Sequence, residues 1–171
     1  MKKLLLLLIT ISFITIGCSD DKKTNTTPQT EQKGTPKTTA KKETKDIKKE
    51  VTIQLAAADE MLFNQTKITV YEGQEVTVVL KHVGRMNKNI MGHNFVLLKK
   101  GTNMTAFANK AMVATDREYI PEGDEVIAHT KLIGGGETTS ITFTAPAKGI
   151  YDYVCSFPGH AGMMKGKFVV K

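Results

Sequence analysis

An all-β domain is predicted for residues 51–171: an eight-stranded antiparallel sandwich with one short helix in a long connection. Two observations predict it. From Val51 onward, short apolar runs alternate in steps of two, the period of a strand with one buried face. Gly, Asn and Pro separate these runs at spacings that suit tight turns. In chain order the strands are Val51–Ala57, Lys67–Tyr71, Gln74–His82, His93–Lys99, Val126–His129, Thr138–Thr144, Ile150–Cys155 and Lys165–Val170. In the third, Val76, Val78 and Leu80 share a face, and His82 falls in phase with them, pointing inward. The stretch Met104–Ala114 breaks the period. It sets Met104, Phe107, Ala108, Ala111 and Met112 on one side, as a helix would. Thr139, Ile141 and Phe143 share a face in the sixth strand, as do Tyr151, Tyr153 and Cys155 in the seventh. Cys155 is thereby presented inward at a strand end.

The front of the chain is different in kind. The protein has 171 residues and a net charge of +7, with 40% apolar residues and no Trp. Residues 19–50 hold nine Lys against six acidic residues, whereas residues 51–171 hold thirteen basic against eleven acidic side chains. A nearly neutral folded unit argues against nucleic-acid binding, which concentrates basic charge on the folded surface. Two Cys exclude a disulfide-built scaffold. Met1-Lys2-Lys3 followed by the uncharged stretch Leu4–Ile16 reads as an export signal spanning residues 1–17, too short for a bilayer-crossing helix. Ile14-Thr15-Ile16-Gly17-Cys18 resembles the bacterial lipoprotein signal, which implies cleavage before Cys18 and lipidation of its thiol; Thr15 stands where Leu is usual. Residues 18–50 then form the lipidated Cys and a Lys/Thr-rich tether, in which Ile47 is the only large aliphatic residue. Such a segment cannot bury enough apolar surface to offset the entropy of ordering.

The chemistry concentrates near the C-terminus. Cys155-Ser156-Phe157-Pro158-Gly159-His160-Ala161-Gly162-Met163-Met164 brings a thiolate, an imidazole and a thioether donor within ten residues. Pro158 and Gly159 allow a short loop to turn and return His160 toward Cys155. A second imidazole stands upstream in Met91-Gly92-His93-Asn94. Two imidazoles and a thiolate in a plane, with a weak axial Met, suit copper that cycles between Cu(I) and Cu(II).

These passages, together with Asn89–Asn94 and Val126–Gly134 (VIAHTKLIG), resemble the azurins, the small blue copper proteins of bacterial respiratory chains. The resemblance covers residues 51–171 and implies a Greek-key, cupredoxin-like sandwich holding one type 1 copper. By position it implies His93, Cys155 and His160 as in-plane ligands and Met164 as the weak axial thioether, with Met163 out of register. Gly92 would supply a distant axial carbonyl, a contact that plastocyanins lack. Asn94 matches the residue that ties the two ligand loops together and hydrogen-bonds toward the Cys sulfur. The resemblance implies the N–H of Phe157 as the other donor to that sulfur. His82 matches an interior histidine that titrates near the site, and His129 a surface histidine with no copper role. Met86, Met91, Phe157, Pro158 and Gly159 are expected to form an apolar rim around His160, suited to brief redox encounters.

The chain also departs from azurins. Their disulfide near the start of the domain is missing, because Cys155 is the only Cys after residue 18, and Phe95 follows the His-Asn pair where a buried Trp is common. The expected function is electron transfer rather than catalysis. Expected partners are redox proteins such as a c-type cytochrome or a terminal reductase or peroxidase, and a membrane reached through the N-terminal lipid. A monomer on the periplasmic side of a bacterial membrane is expected, with Ser19 favouring the outer one. A copper-buffering or copper-delivery lipoprotein would use the same ligands without redox turnover. A Cys155–His160 nucleophile–base pair lacks a matching orienting acid.

Overall fold

The computed structural model describes residues 48–171. The expected signal segment 1–17, the expected lipidation site Cys18 and the expected tether up to Ile47 lie outside the described residues. Eight strands form: β1 (Glu50–Ala57), β2 (Lys67–Val70), β3 (Glu75–His82), β4 (Val96–Leu98), β5 (Val126–His129), β6 (Thr138–Thr144), β7 (Gly149–Val154) and β8 (Lys165–Val170). They build a three-stranded sheet, ordered β1-β3-β6, and a five-stranded sheet, ordered β2-β8-β7-β4-β5.

The sandwich is mixed rather than purely antiparallel. β1 runs parallel to β3, and β2 parallel to β8. The chain changes sheets after β1 and again after β2, so neither β1 and β2 nor β2 and β3 pair, whereas β4 pairs with β5 and β7 with β8. A period-two pattern buries one face in either pairing direction, so it carries no information about direction. The interior is filled as the alternation requires. Val76, Val78, Leu80 and His82 are all fully buried on one face of β3. Ile141 and Phe143 of β6 pack against the same core.

Tyr153 of β7 lies at the centre, its ring 5.4 Å from that of Phe95 and 5.6 Å from that of Phe63. Its hydroxyl donates to the Gln65 carbonyl at 2.5 Å. Gly166 sits opposite it in β8, where an added Cβ would meet Tyr153 Cζ at 2.2 Å. The ring occupies the space a side chain would need.

The helix α2 (Met104–Val113) is capped by Asn103, whose Oδ1 accepts the Ala106 N–H at 3.0 Å. Its Phe107 and Ala111 are buried against Val96, Leu98, Val154 and Ala161, with Met104 and Ala108 beside them. Met112 is 45% exposed, contrary to expectation. It follows Ala111 by one residue, about 100° around the axis, and so stands at the edge of the buried stripe.

At the entry to the domain, Gln74 ties together the segments that lead into β1 and β3. Its buried side chain donates to the Lys48 carbonyl at 2.6 Å and accepts the Tyr71 N–H at 2.7 Å. The Glu75 N–H adds a bond to the Lys49 carbonyl at 2.9 Å. The other ends of β1 and β3 carry Ala57 and His82, next to the functional residues.

Candidate metal centre

The segment read as a strand from His93 to Lys99 forms a strand only over Val96–Leu98. Before it stands a four-residue helix, α1 (Lys88–Met91), that the pattern does not announce. Asn87 caps it by accepting the Asn89 N–H at 3.0 Å. His93 is held in an isolated antiparallel bridge with Ile133, each N–H donating to the other's carbonyl at 2.9 Å. Gly92 lies between helix and bridge in a gap that admits no side chain. An added Cβ would meet the Lys88 carbonyl oxygen at 2.5 Å and the Phe157 ring at 2.9 Å. Its own carbonyl oxygen stands 3.7 Å from the Cys155 sulfur.

Cys155 follows the last residue of β7, and its N–H donates to the Met164 carbonyl at 2.9 Å. Between them the chain turns tightly: Gly159 takes a φ of +81°, and His160 N–H bonds to the Phe157 carbonyl at 3.0 Å. His160 Nδ1 comes to 3.6 Å from Cys155 Sγ, and His93 Nδ1 to 3.9 Å. The donor atoms of His93, Cys155 and His160 all lie within 4.8 Å of one another.

Three ligands in a trigonal plane, with bonds of about 2.0–2.3 Å, sit roughly 3.7 Å apart. The two sulfur–nitrogen separations bracket that value, so the donor set fits a metal ion. His93 is also turned to suit one. Its Nε2 is 2.9 Å from the Ala58 carbonyl and donates to it, which leaves a lone pair on the Nδ1 that faces the sulfur. Met164 is fully buried beside this loop, whereas Met163 is exposed.

Burial sets the protonation states. It pushes the Cys155 thiol up from its ordinary 9.0 to about 11, against the pull of the Asn94 and Phe157 N–H groups at its sulfur. Burial, with smaller contributions from His93 and His82, pushes His160 down to about 4. His93 is lowered as well, chiefly by burial. At neutral pH the imidazoles are uncharged and ready to ligate, while the thiol must release a proton to do so.

The flanking residues stand close by. Asn94 Oδ1 accepts the Ser156 N–H at 2.8 Å and its Nδ2 donates to Ser156 Oγ at 2.8 Å, linking the two ligand loops. The His82 ring stacks on His93 at 4.4 Å; its Nδ1 accepts the Gly84 N–H, so its Nε2 donates to the Met91 carbonyl at 2.9 Å. His129 is exposed on β5, its Nδ1 3.1 Å from the Thr130 carbonyl. The Ala58 carbonyl, the Ile133 bridge and Ser156 have no counterpart in the sequence reading. The first two are main-chain groups, which side-chain identity does not disclose. Of the rim residues, Met86 and Gly159 are exposed, Met91 and Pro158 half-buried and Phe157 buried. Ile90 and Met163 are further exposed apolar residues on these two ligand-bearing segments.

Residues 49–171 match the family model described as copper binding proteins, plastocyanin/azurin family. The chain belongs to this family. It is 46% identical over 123 residues to azurin-1 of Alcaligenes xylosoxydans xylosoxydans, a match that covers 68% of this chain and 95% of that one. It is 44% identical over 128 residues to azurin of Pseudomonas chlororaphis, covering 71% and 99%. Among solved structures, auracyanin A, a blue copper protein of Chloroflexus aurantiacus, superposes with a TM-score of 0.65 at 38% identity, over 71% of this chain and 99% of that one. The fold is that of the cupredoxins, the cofactor is copper, and the function is blue-copper electron transfer.

Proposed function

We propose that this protein is a lipid-anchored one-electron carrier whose copper would be held by His93, Cys155 and His160 as the main donors, with Met164 and the Gly92 carbonyl as weaker ones. The observation that carries the site is the convergence of three buried donors, two of them 62 residues apart, at separations a trigonal ion requires. Copper supplies a one-electron Cu(I)/Cu(II) couple when bound. The chain supplies the rest. Cys155 gives up its thiol proton, and the N–H groups of Asn94 and Phe157 then stabilise the negative sulfur. His93 is fixed from behind by Ala58 and along its main chain by Ile133, so its ring has no freedom to swing. Close packing around Cys155, His93 and Met164 resists displacement of the donors when the charge at the site changes.

His160 is buried at 3% exposure on the loop that carries the rim residues, and the electron would leave through its edge toward a docked redox protein. A small apolar surface around it favours quick release. Cys18 carries the lipid, and residues 19–50 connect it to the domain on the periplasmic side of a bacterial membrane. Redox partners in that compartment, such as a c-type cytochrome or a terminal reductase, exchange electrons with it.

The copper-loaded protein should absorb intensely in the visible through sulfur-to-copper charge transfer, and Cys155→Ser should abolish the band. A colourless Cu(II) form overturns the reading. Cys18→Ala should move the protein from the membrane fraction to the soluble one; retention in the membrane overturns the anchor.

A further inference from the structure

The short helical turn Thr115–Arg117 ends in two consecutive residues with left-handed backbone, Glu118 at φ 53° and Tyr119 at φ 65°. Neither is glycine. Each such conformation costs on the order of 1–3 kcal/mol and persists only where its surroundings hold it. What holds it here leads to the metal centre. The Glu118 carbonyl accepts from Asn94 Nδ2 at 3.3 Å, and its carboxylate Oε2 accepts the Leu132 N–H at 3.0 Å. Tyr119 sets its ring edge-on to Phe157 at 5.1 Å.

Asn94 follows His93 directly, and Leu132 precedes Ile133, whose main chain pairs with His93 in both directions. We infer that Glu118 is a positioning residue of the copper site: it touches no ligand but fixes the segments on both sides of His93. Leu132 is 8% exposed. Without Glu118 its part-buried N–H loses the acceptor it has here, so the Leu132–Ile133 segment shifts to find another and carries the His93 bridge with it. The carboxylate's charge is secondary. Its other oxygen stands 4.0 Å from Lys88 Nζ, with both side chains well exposed, and such pairs contribute little. The acceptor oxygen and its reach are what matter.

The inference rests on His93 being a ligand, and the wild-type charge-transfer band tests that separately. Given the band, three variants of the full chain are compared. Glu118→Gln keeps an oxygen in the same place and should retain the copper affinity, visible band and copper EPR pattern of the wild type. Glu118→Ala should bind copper about tenfold more weakly, as loss of outer support around a metal ligand commonly does, with an altered EPR pattern. Glu118→Asn covers the case in which Ala fails to fold. Asn tolerates the left-handed corner but is one methylene too short to reach Leu132, so it should behave as Ala does. In the copper-free proteins, the Leu132 amide should exchange its hydrogen faster in the Asn variant and at the wild-type rate in the Gln variant. Wild-type affinity and EPR pattern in a folded Ala or Asn variant overturn the inference. So does a Gln variant that loses as much as they do.

Discussion

Removing copper and raising the pH should destabilise the fold through one sulfur. Without a metal, Cys155 is a fully buried thiol pushed up from 9.0 to about 11. The unfolded chain exposes the same thiol and ionises it first. Between pH 9 and 11 the unfolded state therefore holds fewer protons than the native one, and stability falls as pH rises. The contribution is fully present below pH 9. A difference of about two decades in acidity, at ~1.4 kcal/mol each, makes it about 2–3 kcal/mol once the native thiol ionises. Tyr153, pushed up to about 12 by burial, adds a similar loss that begins one decade higher. The comparison with Cys155→Ala cancels that second loss, because the tyrosine is common to both. Urea unfolding of the two copper-free proteins, followed by circular dichroism through this pH range, should show the wild type losing about 2–3 kcal/mol relative to the variant. Binding a metal should abolish this alkaline loss, since the ligated sulfur carries no proton. A constant gap between wild type and variant across the range would refute the reasoning.

Three further outcomes follow from the structure. Gly92→Ala drives a Cβ into the Lys88 carbonyl at 2.5 Å; it should cost about 1–3 kcal/mol in urea unfolding and weaken copper binding, and an unchanged variant would show that the gap can open freely. Gln74→Ala should cost about 1–3 kcal/mol yet leave the visible band untouched, because its partners Lys48 and Tyr71 lie at the opposite end of β1 and β3 from His93. On the acid side, His160 is lowered from 6.5 to about 4 and His93 is lowered as well. The unfolded imidazoles bind protons first, so copper-free stability should fall as pH drops from 6.5 toward 4, and a flat thermal midpoint over that range would contradict the burial of these rings.

Much of this molecule is legible in its sequence, because the relevant physics is local. Val76, Val78, Leu80 and His82 announce their inward face by a period of two, and the structure buries all four. Cys155, His160 and Met164 announce themselves because a loop of fixed length can bring soft and borderline donors together. Their loop folds back through bonds within itself, such as His160 N–H to the Phe157 carbonyl and Cys155 N–H to the Met164 carbonyl. The helix was legible over Met104–Ala114 from its apolar stripe alone, although Met112 stands at the edge of the buried face. What the tertiary structure alone decided is relational. β1 and β2 pair parallel to strands that lie far along the chain, and an alternating pattern has the same form for either direction. The four-residue α1 is too short to show a helical period. Glycine at position 92 is required by the Lys88 carbonyl and the Phe157 ring. The Ala58 carbonyl that orients His93 lies 35 residues from it. Main-chain groups are the same in every residue, so their roles arise only when the fold selects which of them face a buried polar atom.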